Sequence, residues 1–351
     1  MIAASTPTFE ITRPSNVIRK CPLIICHQSF DLISLQSTMA SHYLTQHWDS
    51  LRPPTQLLTE EKSMYAITGI TGKVGGAMAQ ALLSAHQPVR AIVRDAEKGK
   101  ALAEKGCEVA IADMDDVASL TAAFRGAEGV FILPPSNFDP APGFPEARKG
   151  AATIRQALDA AAPGRVVCLS TVGAQAKQSN LLTQRTILEE ALAGLTMPLT
   201  FLRPGWFLDN LQWDVESAQR DGIVHSFLQP ADATFPMVST EDVGRVAAEL
   251  IQEPWTGTRI VELEGPRRVS PNDIAAAFGR VLGRIVRTQI VPREDWAALF
   301  RAQGMNDPVP RIQMLDGFNE GWITFEGEDA SVLKGRVELD QVIRALVRGA
   351  R

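Results

Sequence analysis

The sequence predicts an α/β protein with a doubly wound parallel sheet and a smaller, mostly helical C-terminal lobe. From residue 64 onward, short apolar runs typical of strands alternate with segments of helical periodicity, which is the pattern of a parallel sheet. A glycine-rich turn joins the first strand to the first helix, and the segments after residue 270 are mainly helical in character. A chain of 351 residues has room for one large domain, or for a main domain with a smaller lobe.

The first strand–turn–helix unit has the pattern of a dinucleotide-binding fingerprint. The apolar run YAIT (65–68) precedes a turn with glycine at every third position, and AMAQALLSA continues as a helix. Such glycines let the backbone approach a pyrophosphate, which the N–H groups at the start of the helix then bind. A plain strand-to-helix connection is the alternative, and the flanking strand and helix favour the nucleotide. The candidate cofactor-binding residues here are Gly69, Ile70, Thr71, Gly72, Lys73, Val74 and Gly75.

The second strand predicts which dinucleotide binds. PVRAIVRD (88–95) ends in Arg94, at the distance where an NAD-binding protein places the acid that binds the ribose. A guanidinium at this position suits the extra 2′-phosphate of NADP, and Lys98 adds a second positive charge. Asp95 carries the opposite charge, but it lies one position further round the turn. We therefore expect NADP(H) to be preferred, with NAD(H) as the alternative.

The later strands place further residues along the same crevice. The alternation continues through CEVAIADMDD, VASLTAAF, GVFILPP, a long helix near 144–161, and RVVCLST. The carboxyl ends of parallel strands form the ligand crevice of such folds. We expect Asp113 near the adenine, Leu133, Pro134 and Pro135 near the middle of the cofactor, and Ser170 and Thr171 near the nicotinamide.

The C-terminal part predicts a cover for the crevice. Trp206, Phe207 and Asn210 follow Pro204 and Gly205 after the sixth strand-like run, where they are expected to overhang the nicotinamide. WFLDNLQW also fits the apolar face of a helix, so pocket lining and core packing both remain open for the aromatic residues. SPNDIAAAFGRVLG opens with a helix N-cap signal, and REDWAALFRAQGM and VPRIQMLDGFNEGW predict helices of a small lid. The lid residues expected to close over a substrate are Phe318, Asn319 and Trp322.

Composition argues against several other classes of protein. Forty acidic and 35 basic residues give a net charge of −5, whereas a nucleic-acid-binding protein usually has a basic excess. No apolar run approaches the roughly 20 residues of a membrane span. Cys107 and Cys168 lie in strand-like runs where we expect small buried thiols, and no Cys/His spacing predicts a metal site. These features fit a cytoplasmic protein with a small-molecule partner.

The chain divides into three predicted parts. Residues 1–63 show no sustained helical or strand period, so we expect a disordered leader before a functional start at Met64. Residues 64–235 are the predicted dinucleotide-binding domain, and residues 236–351 the smaller substrate lobe, interleaved with the main sheet. The sequence leaves a homodimer open.

From residue 64 to beyond 320, the chain resembles the NmrA-like branch of the atypical short-chain dehydrogenases/reductases, which includes NAD(P)H:quinone oxidoreductases. The resemblance rests on GITGKVG, VRDAEKGKAL, ADMDD, STVGA, ILEEALAGLTMPLTFLRPGWFLDNL and FPMVSTEDVGRVAAELI, which recur in order. It implies a Rossmann fold whose cofactor site includes the RPGWF loop, with Pro204, Gly205, Trp206 and Phe207. In many relatives a lysine that contacts the nicotinamide ribose lies four residues before the glutamate corresponding to Glu189, and here that position is Arg185.

The chain lacks the tyrosine of conventional members of the superfamily. Their Tyr-x-x-x-Lys pair passes a proton through the phenol. The position four before Arg185 is Leu181, and the only two tyrosines, Tyr43 and Tyr65, lie in the leader and in the first strand. The resemblance then implies an oxidoreductase that passes hydride from NADPH to an electron-poor acceptor such as a quinone or an azo compound, with Ser170, Thr171 and Asn210 as candidate acceptor contacts. The alternative is a non-catalytic NADP(H)-binding redox sensor that acts on a protein partner.

Overall fold

The centre of the molecule is an eight-stranded sheet. A computed structural model describes residues 63–349. Its strands are β1 (Tyr65–Ile67), β2 (Val89–Val93), β3 (Glu108–Ile111), β4 (Gly129–Ile132), β5 (Arg165–Leu169), β6 (Leu199–Pro204), β7 (Trp206–Phe207), β8 (Ile223–Ser226), β9 (Met237–Val238), β10 (Thr258–Glu264), β11 (Arg287–Ile290) and β12 (Leu333–Lys334). The main sheet has the order β12-β10-β6-β5-β4-β1-β2-β3, and all its neighbouring strands are parallel. The strand order reverses between β1 and β4, which is where ligands bind in folds of this kind.

Helices cover both faces of this sheet. The helices are α1 (Lys73–Ser84), α2 (Ala96–Ala103), α3 (Val117–Phe124), α4 (Pro145–Ala161), α5 (Thr183–Leu192), α6 (Val215–Arg220), α7 (Thr240–Gln252), α8 (Pro271–Leu282), α9 (Trp296–Ala302), α10 (Val309–Glu320) and α11 (Leu339–Gly349). Apolar side chains of α1 and α7 form one core layer, and those of α3, α4 and α5 form the layer on the opposite face. Because both faces are buried, the central strands are continuous apolar runs rather than alternating ones. The doubly wound parallel sheet predicted from the sequence is confirmed.

Short polar residues set the starts of several helices. The side chain of Asp95 caps α2, that of Asp116 caps α3, and that of Ser239 caps α7. Ser270 and Asp273 form a reciprocal capping box at α8, which confirms the N-cap predicted there. These caps bind N–H groups that the helix itself leaves unpaired, so each helix begins at a defined residue.

The C-terminal lobe has a separate apolar core. The lobe consists of a 3-10 helix (Leu208–Asp214), α6, α8 to α11 and the β8–β11 pair. The largest buried side chains of its core include Trp296, Phe278 and Phe300. The segment WFLDNLQW divides between β7, which pairs with β9, and the 3-10 helix. The predicted mostly helical lobe is confirmed.

The lobe and the sheet exchange segments of the chain. Residues 208–235 contribute to the lobe core. By contrast, two later elements belong to the main domain: α7 packs against a face of the main sheet, and β10 pairs with β6 within it. The described residues 63–349 belong to one compact unit, and the boundary predicted at residue 235 stays a prediction. The predicted leader, apart from Ser63, lies outside the described residues.

Two further features concern the cysteines and a possible membrane span. Cys107 and Cys168 are buried and unbonded, as expected, and burial raises the pKa of the Cys168 thiol to about 12. No helix within residues 63–349 combines the length and the apolar character needed to cross a membrane.

Candidate functional site

The three glycines of the first turn have three different structural roles. Gly69 has a positive φ of 64°, and its carbonyl accepts the N–H of Gly72 at 3.0 Å, which closes the turn. A Cβ atom on Gly75 would lie 2.4 Å from the Gly69 oxygen, so this position must remain glycine for the helix to pack against the turn. A Cβ atom on Gly72 would meet only that same oxygen, at 3.3 Å, and Gly72 is exposed. The face of Gly72 is therefore open to a ligand.

The N-terminus of α1 lies beside this open face. Gly72 is its N-cap residue and offers no side-chain cap, and the first turn contains no acidic residue. The N–H groups of Lys73, Val74 and Gly75 are the ones that the helix leaves without a partner. Such an end, with its positive dipole, binds phosphate groups in other proteins. The turn therefore fits a pyrophosphate.

The side chains of the turn point in different directions. Ile70 and Val74 are buried in the core, so only their backbone can face a cofactor, whereas Thr71 is exposed. The Lys73 ammonium contacts Asp209 at 3.2 Å and Gln212 at 3.5 Å, which ties the turn to the 3-10 helix of the lobe.

The carboxyl end of β2 presents two exposed cations. Arg94 and Lys98 are exposed, and neither makes an ion pair with any residue in the described part of the chain. The carboxylate of Asp95 accepts the N–H of Glu97 at 2.9 Å and caps α2. The acid next to Arg94 therefore has a local structural role, and the cations remain available for a phosphate group.

The ends of β3 and β4 carry the next predicted residues. Asp113 is exposed, and its carboxylate accepts the N–H of Asp115 at 3.1 Å in its own turn. Leu133 is half-buried beside Gly69, and its N–H donates to the Thr68 hydroxyl at 2.7 Å. Pro134 and Pro135 follow in the loop after β4, half-buried and exposed respectively.

Arg185 connects α5 to this loop. Its guanidinium donates to the carbonyl of Pro134 at 3.1 Å and to the hydroxyl of Ser136 at 2.9 Å. Burial lowers the pKa of Arg185, although the nearby Cys168 acts in the opposite direction. Both hydrogen bonds hold the loop that borders the crevice, so a contact between Arg185 and a cofactor stays a prediction.

Ser170 belongs to a buried network that the sequence did not reveal. It is 5% exposed, and its hydroxyl donates to the carboxylate of Glu189. Arg203, 4% exposed, binds both oxygens of Glu189 at 2.9 and 2.7 Å and contacts Glu326 at 2.8 Å. Burial acts to lower the pKa of Arg203, but its hydrogen bonds and charge interactions with the two glutamates outweigh this effect and raise it.

Thr171 differs from its neighbour. It is half-buried, and its hydroxyl has no hydrogen-bond partner among residues 63–349. Ser170 and Thr171 were both predicted at the end of β5. Of the two, Thr171 is the one whose hydroxyl can still donate a hydrogen bond to a ligand.

The RPGWF loop forms an apolar wall beside the end of β6. Pro204 is buried, and Gly205 is required because a Cβ atom there would lie 2.5 Å from the Pro236 carbonyl. Trp206 packs edge-on against Phe318, with 5.2 Å between ring centres. Phe207 and Asn210 are half-buried, and the Asn210 amide makes no hydrogen bond within the described chain.

Two of the three predicted lid residues already have local partners. Asn319 donates to the carbonyl of Phe227 at 3.0 Å and accepts the N–H of Gln229 at 2.9 Å, so its amide holds that loop instead of facing a substrate. The Trp322 indole donates to Glu320 at 3.0 Å. Phe318 is buried against Trp206.

Tyr65 lies at the start of β1, away from the carboxyl ends of the strands that form the crevice. Tyr65 is 5% exposed within β1, and burial, against the influence of Arg165, raises the pKa of its phenol. Tyr43 lies outside the described residues. Leu181, at the position of the missing tyrosine, is buried, and its N–H donates to the Pro310 carbonyl at 2.8 Å. Within residues 63–349, no cluster of three potential metal ligands is present.

Two open clefts lie elsewhere on the surface. One, of about 370 Å³, lies beside the start of α7 and includes Asp209, Arg336 and Gln341. The other, of about 460 Å³, borders β10 near Ile260 and Leu333. Each cleft shares one residue with the site described above: the first includes Asp209, which contacts Lys73, and the second includes Glu326, which contacts Arg203.

A parallel sheet in this strand order, with an open glycine turn at the reversal point, defines the Rossmann class of α/β proteins. The chain belongs to the NmrA-like family, whose sequence profile it matches over residues 61–320. It is 26% identical over 260 residues to the NAD(P)H azoreductase of Xenophilus azovorans, covering 73% of this chain and 85% of the relative. It is 28% identical over 247 residues to quinone oxidoreductase 2 of Escherichia coli, covering 70% and 83%.

Solved structures have the same fold. The NADPH complex of the NADPH-dependent quinone oxidoreductase QOR2 from Escherichia coli aligns with a TM-score of 0.68 and 24% identity, over 81% of this chain and 99% of that one. The NADP(H) complex of the triphenylmethane reductase from a Citrobacter species gives a TM-score of 0.65 and 21% identity, with coverages of 81% and 99%.

Proposed function

We propose that the protein is an NADPH-dependent reductase that passes hydride to an electron-poor acceptor such as a quinone or an azo compound. The observation that carries the proposal is the open N-terminus of α1 at Gly72, with the exposed cations of Arg94 and Lys98 at the neighbouring strand end. The names of two relatives, an azoreductase and a quinone oxidoreductase, support the same class of acceptor.

The phosphate end of the crevice selects the cofactor in this proposal. The free N–H groups at the start of α1 bind the pyrophosphate, and Gly72 lets it come close to the backbone. Arg94 and Lys98 bind the 2′-phosphate of NADPH, which NADH lacks. Because Asp95 is occupied in capping α2, its charge competes less with the phosphate.

The acceptor end holds the reacting groups together. The bound cofactor supplies the hydride. Thr171 donates a hydrogen bond to an oxygen or nitrogen atom of the acceptor, and Trp206 with Phe318 forms an apolar wall that excludes water. Within residues 63–349 no phenol lies at this end, so the reduced acceptor takes its proton from solvent, which a weakly basic quinone product tolerates.

We also place the protein in the cytoplasm. Cys107 and Cys168 are buried as free thiols, which fits a reducing compartment.

The test is NADPH oxidation by the full chain against quinones, azo dyes and simple carbonyl compounds. We expect turnover with the quinones or azo dyes and none with the carbonyl compounds. Gly72→Val is the control, because it should remove turnover by blocking the cofactor while keeping the fold. Tight cofactor binding without turnover by any acceptor would instead favour a redox sensor.

A further inference from the structure

The hydroxyl of Ser170 has only one direction in which it can donate. A serine hydroxyl has one proton and two lone pairs. In this structure the proton goes to Glu189, and the backbone N–H of Ser170 donates to the carbonyl of Leu202 at 2.7 Å. What Ser170 can still offer at the end of β5 is therefore the lone pairs of its oxygen.

The neighbouring charges keep this direction fixed. Arg203 donates to both oxygens of Glu189, and the carboxylate group in such a bidentate pair acts as a hydrogen-bond acceptor. The second contact of Arg203, to Glu326, holds the guanidinium in place from the C-terminal segment. Reversing the Ser170 hydroxyl would leave a lone pair facing a nearly buried carboxylate, which is costly.

We propose, building on the proposed function, that Glu189 is a positioning residue that makes Ser170 a hydrogen-bond acceptor for the carboxamide N–H of the nicotinamide. Ser170 lies at the carboxyl end of β5, on the side of the strand reversal where the nicotinamide half of the cofactor binds in this fold class. The carboxamide supplies the N–H donors of the nicotinamide ring. The two neighbouring hydroxyl groups thus have different roles. Ser170 accepts a hydrogen bond from the cofactor, and Thr171 donates a hydrogen bond to the substrate that is reduced.

The test compares two cofactors that differ in this donor. NADP⁺ has a carboxamide, whereas its 3-acetylpyridine analogue has a methyl ketone with no N–H group. Ser170→Ala should weaken the binding of NADP⁺ by about tenfold and leave the binding of the analogue within about twofold, as expected for loss of one hydrogen bond. Direct titration of the full chain measures both affinities without turnover, and Thr171→Val should leave their ratio unchanged.

Glu189 itself is tested by the ratio of the two affinities. Glu189→Gln frees the hydroxyl of Ser170 to turn, so the preference for NADP⁺ over the analogue should fall toward unity. Glu326→Gln is the matched control, because it also removes a carboxylate from Arg203 but does not touch Ser170, and it should keep the preference. If Glu189→Gln does not fold, the Ser170 comparison decides alone.

Each outcome has one meaning. Equal loss of both cofactors in Ser170→Ala, or no loss of either, would overturn the inference and leave the reductase proposal intact. Failure of the unmutated protein to bind NADP⁺ at all would overturn the proposed function and the inference with it.

Discussion

The two ends of the crevice differ in whether their positively charged groups have anionic partners within the described part of the chain. At the glycine turn, the N–H groups of α1 and the side chains of Arg94 and Lys98 have no anionic partner in the described part of the chain. At the ends of β5 and β6, Arg203 is buried between Glu189 and Glu326. The first end fits an anion supplied by a ligand, whereas the second supplies its own counter-ions and holds its groups in place.

The difference teaches how the two ends are encoded. The glycine turn is contained in a few consecutive residues, whereas the network joins residues that are 19, 14 and 123 positions apart. The cofactor-binding turn is thus formed by neighbouring residues of the sequence, whereas the arrangement of side chains at the acceptor end depends on the whole fold.

The largest effect is expected from Gly75→Ala. Its Cβ atom would lie 2.4 Å from the Gly69 oxygen, so the backbone of the turn must shift, at a cost of about 1–3 kcal/mol or more. Melting temperature and the stabilisation by NADPH should both fall. Gly76→Ala is the control, because its Cβ atom would meet the Ile70 oxygen at an ordinary 3.5 Å. Equal melting of the two variants would show that the turn does not need a glycine at residue 75.

Gly72→Val should separate binding from folding. The Cβ atom would lie 3.3 Å from the Gly69 oxygen, a close contact that a small shift of the exposed turn relieves, so we expect the unbound protein to melt only slightly lower than before. The branched side chain would stand where the pyrophosphate approaches, so NADPH and NADH should both bind about a hundredfold more weakly. Titration measures this loss, and unchanged affinity for both cofactors would place the pyrophosphate elsewhere.

Arg94→Ala should affect one cofactor only. Loss of a charge-assisted contact to the 2′-phosphate costs about 1.5–3 kcal/mol, or roughly a tenfold to hundredfold weaker binding of NADPH. NADH binding should not change. Arg125→Ala is the control, since it removes the same charge from an exposed arginine before β4, at the opposite edge of the sheet. Equal affinities for NADPH and NADH in the unmutated protein would contradict the role of Arg94.

The last effect concerns stability alone and is expected from Asp214, whose carboxyl group, within the described chain, lacks the ion pairs found at the acceptor end. Its carboxyl group has no hydrogen-bond partner among residues 63–349, and burial raises its pKa from 3.8 to about 7. The folded state therefore favours the protonated form, and this contribution to stability is lost as the pH rises through about 7. Asp214→Asn should melt higher than the unmutated protein at about pH 8, and this advantage should shrink steadily as the pH falls below about 7 toward the ordinary value of 3.8.

A pH series of melting curves checks this expectation. Glu216→Gln is the control, because that carboxylate is 83% exposed and should change little. Parallel curves for Asp214→Asn and the unmutated protein would mean that Asp214 is ionised in the fold at neutral pH.

Local patterns allowed much of the fold to be predicted. The strands and helices around the sheet, the glycine turn and the N-cap at Ser270 each depend on a few neighbouring residues. The cap formed by Asp95 has the same origin, since an aspartate directly before a helix commonly binds its N–H groups.

The acceptor end could not be predicted in the same way. Arg203 lies within an apolar strand. A charged residue there indicates a partner of opposite charge, but the sequence does not show which residue that partner is. The pairing with Glu189 and Glu326, and the use of Asn319 to hold the loop at Phe227, appear only when distant segments come together.

The central claim is that, among residues 63–349, the acceptor end has no side chain that can act as a general acid or base. With NADPH and a quinone, the rate should show no loss attributable to a phenol ionising at about pH 10. Simple ketones should react negligibly, because the alkoxide product needs a proton delivered in the transition state. Secondary alcohols should also react negligibly, because their oxidation needs a base that removes the hydroxyl proton.

The most direct measurement is therefore the ratio of two rates in the full chain: quinone reduction with NADPH, and oxidation of a secondary alcohol with NADP⁺. We predict measurable quinone reduction and no detectable alcohol oxidation. Brisk NADP⁺-dependent oxidation of a secondary alcohol would contradict the account, since it requires a general base that the described crevice does not contain.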